Sequence, residues 1–108
     1  VALVLASEQV ARRYTNRPVY LRACTLRTRQ YGSFEVFSPY LALQRAPSPT
    51  VFAAQAAFEM AGLGPDEMDV IQIQDTESGA EVMHMAENGF CRDGEQERLI
   101  RDGETGIG

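Results

Sequence analysis

Cysteine is scarce in this chain, and its two copies, Cys24 and Cys91, stand far apart with no CxxC neighbour. That spacing argues against both a zinc site and a disulfide framework. His84 is the single histidine. It lies in the helical pattern EVMHMAE among Val82, Met83 and Met85, with no Cys or Ser nucleophile in register, and reads as a packing or capping residue. No apolar run reaches the length of a membrane span. Residues 1–6 are too short, and too bare of charge in front, for a signal peptide. A cytoplasmic protein that does not enter a membrane is expected. Gly103, Gly106 and Gly108 follow the order G-x-x-G-x-G, with no strand before them and no helix after. That is not a dinucleotide fingerprint. Internal repeats, low-complexity runs and interdomain linkers are also missing.

Basic charge is in deficit too. The net charge of −5 argues against a nucleic-acid backbone as partner, because phosphate binding needs clustered Lys and Arg. Arg12, Arg13, Arg17, Arg22, Arg27 and Arg29 concentrate early, whereas acidic residues dominate from Glu59 onward. This asymmetry fits either a basic strip facing an anionic ligand or a solvated face. At 108 residues the chain is one small domain or a piece of one.

Three segments carry a strand pattern. Residues 1–6 are continuously apolar, residues 19–26 alternate β-branched and bulky side chains, and residues 70–74 form a short β-branched run. Helices alternate with them. Ser7 is placed to cap one that runs to about Tyr14, before Asn16 and Pro18 end it. A second spans about residues 50–61, with Phe52, Gln55, Ala56, Glu59 and Met60 at helical spacing and Gly62 and Gly64 as stops. Pro65-Asp66-Glu67 reads as a short helical turn. A further helix covers about residues 79–88, with Gly89 as its left-handed stop. The charged, glycine-rich tail from Cys91 suggests at most an extended pair near Arg98–Arg101. Residues 27–49 show no sustained period and are punctuated by Ser38-Pro39 and Ala46-Pro47-Ser48-Pro49. The expected fold class is α/β, layered, with a mostly parallel sheet.

Ligands of open α/β sheets collect at the carboxyl ends of strands. The turn Gln74-Asp75-Thr76-Glu77 ends one such strand and precedes a helix, so it is the first place to look for chemistry. It is flanked by stretches that resemble a known family. AAQAAFEMAGLGPDEMDV upstream, GFCRDGEQERLIRDGETGIG downstream and the N-terminal VALVLASEQVARRYTNRPVYL each resemble segments of the thiolase superfamily. The likeness is to its sterol-carrier-protein type branch, often called lipid-transfer proteins. Three separated motifs fall in the family's order, and residues 31–49 are the least similar part.

The resemblance implies a partial thiolase-like layered fold. Residues 1–15 would end the N-terminal half and residues 16–108 would form an incomplete C-terminal half. The family's catalytic cysteine would lie upstream of Val1, and its second cysteine and Gly-His-Pro loop beyond Gly108. In that branch the turn usually reads His-Asp-Cys-Phe, its His (Asn in other branches) helping to bind the thioester carbonyl. Gln74 stands there instead. Its amide can donate but cannot shuttle a proton, which shifts expectation from Claisen-type thiolysis toward the steroid side-chain aldolases of the same superfamily. Members of that group work with an OB-fold, zinc-ribbon partner protein, and thiolase relatives are generally homodimers.

The reaction expected is therefore a retro-aldol cleavage of a steroid-derived acyl-coenzyme A thioester. The alternatives are acetyl transfer by an acetyl-CoA acetyltransferase, or a non-catalytic acyl-CoA or lipid-binding or assembly domain. Retro-aldol chemistry needs a base for the β-hydroxyl proton and an electron sink at the carbonyl. Gln74 would polarise that carbonyl, Tyr31 or Tyr40 would move the proton, and Glu77 would serve as a base if partly buried. Asp75 is read as a loop-fixing residue or the helix N-cap, and it and Glu77 also suit simple helix initiation. Arg27 and Arg29 would meet coenzyme A phosphates, or sit exposed. Coenzyme A enters as part of the substrate, and no separate cofactor or metal is expected.

Overall fold

The structure is a computed structural model that describes residues 2–29, 47–77 and 79–106. Among the described residues, the regular structure is four helices and one 3-10 turn: α1 (Glu8–Ala11), α2 (Pro49–Ala61), the turn Pro65–Glu67, α3 (Ala80–Glu87) and α4 (Gln96–Arg101).

Helix α1 is shorter than expected, ending at Ala11 and relaxing into turns as Arg13 and Tyr14 donate to Val10 and Ala11. Ser7 starts it through its carbonyl, which accepts the Ala11 N–H at 2.8 Å, while its hydroxyl makes no capping bond. One turn along, Arg12 pairs with Glu8 at 2.7 Å, the favourable order for an i,i+4 pair. The Tyr20 hydroxyl joins them, donating to Glu8 and accepting from Arg12, each at 3.1 Å.

Helix α2 has caps at both ends. Ser48 Oγ accepts the Thr50 N–H at 3.1 Å, and Pro49 occupies the first helical position, where its missing N–H has no partner to lose. At the far end Leu63 donates to Phe58 and Gly62 to Glu59, with Gly62 at φ +68°. This is the Schellman arrangement, which satisfies the last carbonyls of the helix.

The same closure recurs twice. Phe90 donates to Met85 and Gly89 to Ala86 at the end of α3, and Glu104 donates to Leu99 and Gly103 to Ile100 at the end of α4. Between α2 and α3, the Glu67 carboxylate reaches back to the Gly64 N–H at 2.6 Å and holds the 3-10 turn.

Packing centres on α3, which contacts both α2 and α4. Ala80 and Met85 are its buried residues, and Phe58 of α2 meets Phe90 edge to face, with centroids 6.1 Å apart and planes at 85°. Buried Gln96 closes the α3–α4 connection, accepting the Gly94 N–H and donating to Asp93 Oδ1. Thr25 ties the 18–29 segment to α2 by donating to the Ala53 carbonyl at 2.8 Å.

Two further expectations change. The tail near Arg98 forms helix α4 rather than an extended pair, because Gln96, Glu97, Arg98, Leu99 and Arg101 are good helix formers and Gly103 supplies the stop. No strand is present among the described residues, so the α/β layering is not seen there. The three strand-patterned segments lack ladder partners among the described residues. Their apolar side chains face solvent, with Val4 94%, Val19 98% and Val70 85% exposed.

The repeated closure gives a stability prediction. A Cβ at Gly89 (φ +84°) would also come within 3.3 Å of Pro65 Cγ, whereas one at Gly103 (φ +75°) meets nothing within 4 Å. Gly103→Ala should cost about 1 kcal/mol from the left-handed backbone alone, and Gly89→Ala about 2 kcal/mol. Urea midpoints at unchanged slope would report the difference, and equal losses would show that Pro65 yields freely.

Candidate functional site

The turn ahead of α3 is the candidate. Gln74, Asp75, Thr76 and Glu77 are all exposed, and Gln74 Nε2 donates to Thr76 Oγ1 at 2.9 Å. The Glu77 carbonyl accepts the Ala80 N–H at 3.0 Å, folding the chain into the helix. Gly79, at φ +88°, is the N-cap and brings no side-chain capping bond. Asp75 is therefore not the cap, since the backbone turn at Gly79 takes that position. Among the described residues, neither the Asp75 nor the Glu77 carboxylate accepts a hydrogen bond.

The other expected site residues are not gathered at this turn. Tyr31 and Tyr40 lie outside the described residues. Arg27 folds onto its own backbone, its Nη1 donating to the Leu26 carbonyl at 2.8 Å. Arg29 is exposed in the same segment. Among the described residues, the side-chain pair that meets at the turn is Gln74 with Thr76. Thr76 is a partner that sequence reasoning passed over, although a hydroxyl two residues from an amide is within easy reach.

Behind the turn, α3 carries a second polar arrangement. His84 Nδ1 lies 2.8 Å from Glu87 Oε2, with both side chains about four-fifths covered. Asn88 Nδ2 donates to the His84 carbonyl at 2.8 Å, adding a side-chain bond at the end of the helix. The packing and capping role expected for this region is thus shared by three residues at i, i+3 and i+4 spacing, which a helical reading could have paired.

Cys91 follows α3 and is half-buried. Burial pushes its thiol pKa up, and the nearby Glu95 and Asp93 carboxylates push it the same way. Such a thiol is held in its neutral, weakly nucleophilic form. Arg98, on α4, reaches Glu104 at 2.8 Å and Asp102 at 3.3 Å, tying the helix to the turn that follows it. Among the described residues, no three His, Cys, Asp or Glu side chains gather where a metal ion could sit. None of the helices there is long and apolar enough to cross a membrane.

Against this geometry, the profile of the Thiolase C-terminal domain-like family matches residues 42–108. The chain belongs to that family. The match takes in the Gln74–Thr76 turn and α2 to α4, so the described helices of this thiolase-like chain fall largely within it. The chain is also similar to the acetyl-CoA acetyltransferase of Methanothermobacter thermautotrophicus, with 32% identity over 106 residues. That likeness covers 98% of the chain and 26% of the relative, so the chain spans about a quarter of the relative's length. No solved structure matches the thiolase-like chain significantly.

The two cysteines should separate chemically. Cys24 is exposed, so iodoacetamide at pH 8 should modify it well before Cys91. The raised Cys91 pKa means the folded state holds this proton more tightly than the unfolded chain. Its stabilising contribution is full below the unfolded thiol value of about 8.5 and is lost as pH rises through the higher folded value. Labelling followed by peptide mass spectrometry from pH 7 to 10 would show Cys91 lagging, and equal rates at pH 8 would contradict its protected state.

Proposed function

We propose that this chain is part of a longer thiolase-type protein acting on acyl-coenzyme A thioesters, with acetyl transfer as the leading reaction. The observation that carries the reading is the similarity to an acetyl-CoA acetyltransferase along 98% of the chain, together with the family match. In this reading residues 1–15 end the first half of the protein and residues 16–108 belong to its second. The uncovered strand-patterned segments support it, because side chains such as Val19 and Val70 are of the type that pack in a layered sheet.

Gln74 is the carbonyl-binding group in this proposal. Its amide donates to the thioester oxygen as negative charge develops there, and such a preorganised donor lowers the barrier without a proton changing hands. Arg27 and Arg29 would meet the coenzyme A phosphates. Glu77 and whichever of Tyr31 and Tyr40 reaches the site would handle protons. The remaining groups of the reaction, a nucleophilic cysteine and its base, would come from the rest of the protein. A homodimeric, cytoplasmic enzyme with no cofactor beyond the coenzyme A of its substrate belongs to the same proposal.

One observation favours a second reading. An amide at position 74, where this branch of the family usually has His, polarises a carbonyl but cannot relay a proton. Retro-aldol cleavage of a steroid side-chain thioester, alongside an OB-fold, zinc-ribbon partner, suits that substitution.

The test is turnover by the full-length protein on two substrates. Thiolysis of acetoacetyl-coenzyme A is expected, and Gln74→Ala should lower its kcat about 100-fold. Ketone release from a steroid side-chain thioester that carries its 17-hydroxyl β to the thioester carbonyl, with no thiolysis, would replace acetyl transfer by the lyase reading. Binding of the thioester without turnover of either substrate would leave a carrier role.

A further inference from the structure

We draw no further inference here: the strongest candidate, the His84–Glu87 side-chain pair at 2.8 Å on helix α3, belongs to the helix-end arrangement already described, and among the described residues no third metal-ligating side chain joins it to point to a ligand.

Discussion

Phe58 and Phe90 meet edge to face at 6.1 Å, and each is tied to the point where a helix is closed. Phe58 supplies the carbonyl that accepts the Leu63 N–H at the end of α2, and Phe90 supplies the N–H that closes α3 onto Met85. The contact therefore joins two Schellman closures, each requiring a left-handed glycine. An aromatic pair of this geometry contributes about 0.5–1.5 kcal/mol beyond the area it buries. With few buried side chains elsewhere among the described residues, that contact helps set how α3 lies against α2. The position of the turn in front of α3 follows from that.

Much of this was legible in the residues because helix ends are written in local chemistry. Ser48-Pro49 and Gly62 bracket α2, and Gly89 stops α3, each by a mechanism that acts within a few positions. Helix α4 was missed for an opposite reason. At six residues it has no apolar period to detect, and its charged composition resembles a solvated loop. Its signal was the same glycine stop, at Gly103, read as part of a glycine-rich tail. The strand patterns are a different case. Alternation reports which faces are apolar, but a strand also needs a neighbour to pair its backbone, and that neighbour is specified by distant residues.

The site was legible in part and for similar reasons. Gln74 is conspicuous at the end of a β-branched run, so its position could be read from pattern. Its bond to Thr76 depends on the turn's path, which no pattern records. Asp75 resembled a helix cap because its side chain is of the right type. The backbone reaches Gly79 before the helix begins, and at φ +88° a glycine takes the cap position on conformational grounds alone. The partners of His84 were readable in principle, since Glu87 and Asn88 lie at helical spacing from it.

The exposure of residues 70–71 bears directly on how the turn would do chemistry. Val70 is 85% and Ile71 43% exposed, and both immediately precede the amide proposed to bind a carbonyl. A single N–H donor in bulk water changes a reaction barrier little, because solvent already offers equivalent donors to the developing charge. The same donor becomes effective when apolar surface closes around it and lowers the local dielectric. Covering Val70 and Ile71 in a layered sheet would bring that apolar surface against Gln74. The packing proposed for these side chains and the strength of the proposed oxyanion donor are thus one physical condition, met or lost together.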